Sequence, residues 1–361
     1  MSRKIQSWIS IGLFLIVLAL AASAGETLVQ PLIDRPGGCT YCEAIKAAFA
    51  RAEGSIDVLL ADAELEDNPL FDYLIDAKNR GVRVRVLLDK SDWSAAITAK
   101  NRPTIDYLKS RGIEARFDDP QVTTHAKLVI VDRREVILGS MNWNKYALTD
   151  QEQTDILIDD ERVGEAFADY FDRLWEGDFD GRKMTVSLDL PNDDSPTIVP
   201  LPDGDGLTVY ASFLLDLIPR ATSSVHVVLY RMSYYAGYRN STVNALLDAL
   251  IAAASRGLDV RVFLDDCSYY PESAQANLAA AIYLSAHGIE VRFDSPKKTT
   301  HAKLVLIDGE SVVLGSTNWN YYSIEKNIEA DVALLHIPPV ASVYEAYFEA
   351  LWDEGRPIGI Q

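Results

Sequence analysis

The sequence predicts an α/β protein made of two duplicated domains, each a mixed β-sheet flanked by helices. Length is the first observation, because 361 residues are more than one ordinary domain requires. Self-similarity is the second. Gly81, Val82, Arg83, Val84, Arg85 and Val86 fall on Gly257, Leu258, Asp259, Val260, Arg261 and Val262 at a spacing of 176 residues, and Gly112, Ile113 and Glu114 fall on Gly288, Ile289 and Glu290 at the same spacing. That period is far beyond the ~20–50 residues of solenoid repeats and marks a duplicated domain. The third observation is the alternation, within each copy, of short apolar runs with segments of helical period.

Taken in order, Arg3 and Lys4 precede an apolar run over 9–22, and Ala22, Ser23 and Ala24 form the small-x-small pattern that signal peptidase cuts. Residues 1–24 are therefore expected to be a signal peptide and the protein to be exported. The stretch also approaches the roughly 18–20 apolar residues that span a bilayer, so an N-terminal membrane anchor is the alternative. The first domain, 25–176, reads as a helix over 42–52, a strand over 56–60, a helix over 70–79 and a strand over 82–88. A helix over 104–110 and a strand over 113–117 follow, then strands over 126–131, 135–138 and 154–158 and a closing helix over 162–175. Gly81, Gly112 and Gly139 sit at joints. Residues 177–206, rich in Asp, Pro and Gly, read as a linker. The second domain covers 207–361. Upstream of the long match the spacing falls to 169, so the second copy carries seven extra residues near 231–239.

Composition narrows the function classes. A chain 48% apolar and 24% charged is neither disordered nor fibrous. Lys and Arg number 34 against 53 Asp and Glu, and the net charge of −19 cannot gather a polyanion by bulk attraction. Three cysteines exclude a disulfide-dense scaffold, and no Cys/His cluster has the spacing of a structural zinc site. Cys39 and Cys42 open the first helix and read as a local disulfide or as two inert thiols, with Cys267 left unpaired.

Chemistry concentrates in one duplicated block. Thr123, Thr124, His125, Ala126, Lys127 and, five residues on, Asp132 are followed by Gly139, Ser140, Met141, Asn142 and Trp143; the partner block runs from Thr299 through His301, Lys303 and Asp308 to Gly315, Ser316, Thr317, Asn318 and Trp319. Residues two apart in a strand share a face, so each His and Lys line one wall together. The Gly-Ser-x-Asn turn adds a hydroxyl, an amide and an approachable backbone, which suit the oxygens of a phosphate. A polar set repeated whole is poorly explained by packing. His226, His287 and His336 lack these surroundings and read as structural.

These blocks resemble the phospholipase D superfamily, whose signature H-x-K-x(4)-D followed by G-S-x-N stands once in each half. The resemblance implies two α/β halves related by a pseudo-twofold, with both motifs meeting in one active site at their interface. It also implies cleavage of phosphodiesters through a phosphohistidine, with no cofactor and no metal. One His would attack phosphorus and the other would protonate the leaving oxygen. Lys127, Lys303, Asn142 and Asn318 would stabilise charge on the equatorial oxygens, while Asp132 and Asp308 would be structural. Ser323, Asn327 and Glu329 extend the pattern in the second half, where the first has Ala147, Gln151 and Gln153. The expectation is that Gln153 orients His125, the nucleophile, and Glu329 orients His301, the acid. Glu152 and Asp155 are alternatives to Gln153.

The Gly-Ser-x-Asn-Trp form looks more like small bacterial nucleases and the mitochondrial cardiolipin hydrolase branch than like cardiolipin synthases. Phospholipid headgroup hydrolysis is the leading expectation, with an endonuclease on DNA or RNA as the alternative and an inactive binding protein behind both. The basic pairs Arg133-Arg134 and Lys297-Lys298 leave room for nucleic acid. A Tyr-rich insertion, Tyr230, Tyr234, Tyr235 and Tyr238, is expected at the substrate rim against lipid or base, joined by Trp93, Tyr269 and Tyr270, and a membrane surface is an expected partner. Because one chain carries both motifs, it is expected to be catalytically complete as a monomer.

Overall fold

A computed structural model describes residues 18–22, 25–90, 94–184, 190 and 193–358. Most of the segment read as a signal peptide lies outside them, as does Trp93. The first half contains β1 (Leu18–Ala22), β2 (Gly25–Asp34), α1 (Thr40–Arg51), β3 (Ser55–Leu60), α2 (Leu70–Asn79), β4 (Arg83–Leu88), α3 (Ala95–Ser110) and β5 (Glu114–Phe117). It continues with β6 (Lys127–Val131), β7 (Glu135–Gly139), α4 (Lys145–Asp150), β8 (Gln151–Asp159) and α5 (Glu161–Trp175). The second half contains β9 (Thr197–Asp203), α6 (Val209–Leu217), β10 (Ser224–Leu229), α7 (Thr242–Ser255), β11 (Asp259–Leu264), α8 (Pro271–Ala286) and β12 (Glu290–Phe293). Then come β13 (Thr299–Thr300), β14 (Lys303–Ile307), β15 (Ser311–Gly315), α9 (Tyr321–Glu325), β16 (Glu329–Leu335), α10 (Pro338–Glu354) and β17 (Arg356–Pro357).

The sheets are mixed and share one plan. The first runs β1-β2-β8-β7-β6-β3-β4-β5 and the second β17-β12-β11-β10-β14-β15-β16-β9. In each, three parallel strands (β3, β4, β5 and β10, β11, β12) continue into an antiparallel set through β6 or β14. The central strands are largely apolar because helices cover both faces, and the buried exceptions on β3 and β4, Asp57 and Arg85, pair with each other. Helix α5 shows how an amphipathic segment is captured: Asp160 caps its N-terminus by accepting from the backbone N–H of Arg162 and Val163, and Val163, Phe167, Tyr170, Phe171 and Leu174 form its buried stripe. That stripe belongs to a core shared by both halves, with Leu128 and Ile130 of β6, Leu304 and Leu306 of β14, and Tyr344 and Phe348 of α10. The Tyr170 hydroxyl donates to the backbone oxygens of Asp203 and Glu329, and the Tyr344 hydroxyl reaches back to Asp155 O. Each half thus lends a helix to the other.

The expected linker, 177–206, is corrected at its end. Thr197–Asp203 is the edge strand of the second sheet, paired along its whole length with β16. Pro200 and Pro202 hid it, since prolines are confined to edge strands and read as breakers. β2 and α4 were also unforeseen, and α3 starts well before 104 and carries Pro103 inside it.

Candidate active site at the junction of the halves

β6 and β14 open with the motif lysines, Lys127 opposite Leu60 and Lys303 opposite Leu229, so both lie at the sheet ends where β3 and β10 finish. The histidines stand two residues earlier, outside their own sheets. There each motif segment pairs with the chain at the start of β8 or β16 of the other half. Thr299 and Thr300 run parallel to Gln151 and Glu152, and His301 N donates to Glu152 O at 2.9 Å. On the other side His125 N and Ala126 N donate to Ile328 O at 2.8 and 2.9 Å, and Ile328 N donates to Thr123 O.

This exchange overturns the expected ring partners. His125 Nδ1 lies 2.9 Å from Glu329 Oε2, and His301 Nδ1 lies 3.0 Å from Ser140 O and 3.2 Å from Gln153 Oε1. The partners cross between halves because each histidine rides on the neighbour's strand. Among the described residues the acceptors for both rings lie at Nδ1, so each neutral ring carries its proton there and the lone pair at Nε2. The alternatives to Gln153 are engaged elsewhere: Glu152 with Arg35 at 3.1 Å, and Asp155 with Met141 N at 3.0 Å.

The Gly-Ser-x-Asn residues divide their tasks. Ser316 Oγ donates to Glu329 Oε2 and Ser140 Oγ to Gln153 Oε1, each at 2.6 Å, so these hydroxyls brace the ring holders and are not free for a phosphate. Asn327 Nδ2 donates to Glu329 Oε1 at 3.1 Å, and Gln153 Nε2 donates to Gln151 Oε1 at 2.7 Å. A Cβ on Gly139 would lie 2.4 Å from Asp155 Oδ1, and one on Gly315 would lie 2.2 Å from Asp331 Oδ1. Only glycine admits those carboxylates, which hold Met141 N and Thr317 N and so fix the turns bearing Asn142 and Asn318. The Oδ1 atoms of both asparagines are buried without a partner. Trp143 and Trp319 anchor the turns from behind, through Nε1 to the hydroxyls of Tyr41 and Tyr210.

Lys127 and Lys303 are buried, and each ammonium donates to the backbone oxygen of the histidine two residues before it. Burial lowers the Lys127 pKa to about 8 against the pull of Glu329, and burial together with Lys127 holds Lys303 well below its ordinary value. Burial also lowers His125 although Glu329 opposes it, and burial with Lys303, Lys127 and His125 brings His301 far below the usual imidazole range. Burial raises the Glu329 carboxyl, but His125 and Lys127 more than offset this and leave it below its ordinary value. Five groups from two halves thus act on one another electrostatically.

Asp132 and Asp308 close the opposite ends of β6 and β14. Asp132 accepts from the backbone N–H of Glu53, Gly54 and Ser55, and Asp308 from Thr222, Ser223 and Ser224. Sequence reasoning missed a second pair of acids in each half. Asp89 Oδ1 accepts from Thr124 N at 2.8 Å, and Asp265 Oδ2 and Asp294 Oδ2 accept from Thr300 N at 2.6 and 3.1 Å, so these acids hold the residue before each histidine. Asp89 and Asp118 recur as Asp265 and Asp294 at the 176-residue spacing, the signal that could have found them. Burial and the neighbouring acid push Asp118 up to about 7 and Asp294 up to about 8.

The expected rim is redrawn. Tyr230 reaches the site, its ring 4.9 Å edge-on from His301 and 5.2 Å from Lys303 Nζ. Tyr234 instead stacks on Tyr283 at 3.9 Å, and the Tyr235 hydroxyl accepts from Tyr321 N; Tyr238 is exposed. Three of the four residues in the basic pairs are held in ion pairs, Arg133 with Asp169 and Asp172, Arg134 with Asp159, and Lys298 with Glu354, and Lys297 has none among the described residues. Cys39 and Cys42 form a disulfide, and Cys267 is buried and unpaired. Among the described residues, donor atoms of His226, Glu345 and Glu349 lie close enough to surround a metal ion, but Arg261 already bonds His226 and Glu349 there.

Comparison with known proteins bears on the family and the fold. A family model described as "Cardiolipin synthase, PLD-like domain" matches residues 45–175 and 214–352. The mitochondrial cardiolipin hydrolase of Canis lupus familiaris is 36% identical over 179 residues, 46% of this chain and 64% of that protein. Phospholipase D of Rickettsia felis is 31% identical over 139 residues, 38% of this chain and 65% of its own. The chain therefore spans less than two thirds of the length of these curated relatives. Phosphatidylserine synthase of Haemophilus influenzae Rd KW20 shares the fold with a TM-score of 0.70 at 12% identity, over 95% of this chain and 89% of that one. With the family matched in both halves, over most of the sequence, the chain belongs to the phospholipase D-like domain family.

Proposed function

We propose that the protein is an exported, metal-independent phosphodiesterase that hydrolyses phospholipid headgroup esters through a phosphohistidine on His125. The observation that carries this reading is the crossed pairing of the two rings. His125 has a buried carboxylate on Nδ1, so the positive charge that appears when Nε2 bonds phosphorus is met by Glu329. His301 has only neutral acceptors on Nδ1, among nearby cations, and gives up a proton readily once the anionic substrate has raised its pKa enough to take one. The nucleophile expected from sequence is therefore retained for the opposite reason.

In the first step the His125 Nε2 lone pair forms the N–P bond, the bond from phosphorus to the leaving oxygen breaks, and His301 supplies the proton to that oxygen. In the second, neutral His301 takes a proton from water, the water oxygen attacks phosphorus, and the N–P electron pair returns to His125. Lys127, Lys303 and the amides of Asn142 and Asn318 meet the charge on the equatorial oxygens, a role that needs positioned donors rather than covalent chemistry. The relatives' names and the net charge favour lipid over nucleic acid.

The test is one parallel assay in EDTA of the wild-type protein and His125→Asn against mixed phospholipid vesicles and single-stranded DNA and RNA. Headgroup release by the wild type alone is expected; strand cleavage by the wild type alone would make the protein a nuclease. Turnover quenched with denaturant at alkaline pH, where the acid-labile N–P bond survives, should leave the phosphatidyl group on His125, and recovery of the label on His301 would reverse the roles. Sequencing the N-terminus of the protein recovered outside the cytoplasm checks export and cleavage after Ala24.

A further inference from the structure

The exposed aromatic rings of the described residues are not scattered. Those with the greatest exposure are Tyr238 (72%), Tyr322 (68%), Tyr270 (59%), Tyr146 (50%), Tyr321 (46%) and Tyr269 (42%). All six stand on segments leaving the same end of the two sheets. β10 ends at Leu229 beside Lys303, and Tyr238 follows on the way to α7; β11 runs parallel to β10, and Tyr269 and Tyr270 follow its end. β7 and β15 return to that same end and lead to Tyr146 on α4 and to Tyr321 and Tyr322 on α9. It is the end that carries His125 and His301.

Two contacts tie the rings to the opening. The Tyr146 hydroxyl bonds Thr299 Oγ1 at 3.0 Å across the junction, two residues before His301, and the Tyr269 hydroxyl donates to Asp265 Oδ1 at 3.1 Å. Tyr269 packs edge-on against Tyr270, and Tyr321 against Tyr322, so the rings support one another in solvent instead of entering a core.

A ring with an apolar face and a hydroxyl is most stable where an apolar medium meets water. Nucleobases stack on such rings too, and charge decides between the two. Lys145 is paired with Asp67, Lys326 with Asp205 and Lys298 with Glu354, which leaves Arg231, Arg239 and Lys297, among the described residues, as the cations near the rings without an ion pair, in a chain of net charge −19. Such a face has few cations to displace the counterions of a polyanion. We propose that the six tyrosines form an interfacial docking surface that seats the cleft on a zwitterionic lipid bilayer. The proposal rests on the phospholipid reading above. It also fixes the sign of a salt effect: screening removes repulsion between the acidic body and anionic lipid, so salt strengthens binding to anionic vesicles, the reverse of a basic peripheral protein.

The test compares the full chain with a triple variant, Tyr238→Ser, Tyr270→Ser and Tyr322→Ser, at the three most exposed positions. Both are sedimented with phosphatidylcholine vesicles and, at low and high salt, with vesicles containing phosphatidylglycerol; both are also titrated with single-stranded DNA. Turnover of the water-soluble bis(p-nitrophenyl) phosphate reports that the cleft is intact. The substitutions are expected to weaken vesicle binding by about tenfold or more and to leave soluble turnover unchanged. Equal vesicle binding by the two proteins overturns the proposal, as does binding to anionic vesicles that falls with salt. Tyrosine-dependent binding of DNA by a protein that ignores vesicles would assign the rings to base stacking and overturn it as well. Tyrosine-dependent vesicle binding without headgroup release keeps the surface and removes the lipid substrate. Headgroup release from detergent-dispersed lipid, with vesicle binding indifferent to the tyrosines, does the reverse.

Discussion

Glu329 and Gln153 occupy the same place in the repeat and differ by one charge. Replacing Glu329 with Gln keeps an acceptor for the His125 ring but removes the charge that meets the phosphoimidazolium, so kcat should fall by about 10–100-fold while substrate binding changes little. Gln153→Glu should instead raise the His301 pKa and carry the alkaline limb of the pH–rate profile upward. The motif made these residues legible, but not which ring each one holds. Spacing along the chain speaks of neighbours within a half, whereas the ring partners depend on Ile328 O and Glu152 O reaching across it. The buried acids give a second prediction. Asp118, Asp294 and Asp331 keep their protons up to about 7, 8 and 8, whereas an unfolded chain releases them near ~4. Their contribution to stability is fully present below the unfolded value and is lost as pH rises through about 7 to 8. Asp294→Asn should therefore flatten the fall of Tm between about pH 5 and pH 9; an unchanged slope would show that Asp294 is ionised in the fold.

Helices and strands were read best where one period dominated. The stripe of α5 and the apolar β3, β4 and β6 were found nearly to the residue, because sequence pattern and burial coincide there. β9 was lost to its prolines, and β13 could not be seen at all, since two residues become a strand only when β8 of the other half lies beside them. The close approach of β15 to β16 is testable at Gly315. Alanine would press its Cβ against Asp331 Oδ1 at 2.2 Å and Asp331 Cα at 2.5 Å, and backbone cannot swing aside, so a loss of about 1–3 kcal/mol is expected by denaturant titration. The disulfide at the start of α1 has an internal control. Tyr41 beside it holds Trp143, and Tyr210 holds Trp319 in the same way in a half with no disulfide. Reduction should thus lower stability by roughly 2 kcal/mol, the entropy of a very short loop, and leave kcat intact.

At the scale of the molecule the duplication was evident from one offset, and the pseudo-twofold came with the family resemblance. What remained hidden was the exchange: α5 packs on the second sheet's edge, α10 on the first, and each histidine hangs on the opposite strand. Both motifs serve one cleft in one chain, so His125→Asn and His301→Asn should each reduce turnover by about a thousandfold or more, and mixing the two variants should restore nothing. Recovered activity would reveal copies that swap halves. The exchange also bears on the order in which the protein is made. Ile328 and Glu329, which give His125 its backbone anchor and its countercharge, stand about two hundred residues after the histidine they equip. A chain still leaving the ribosome therefore holds a complete first motif before the residues that anchor and countercharge its histidine have been made.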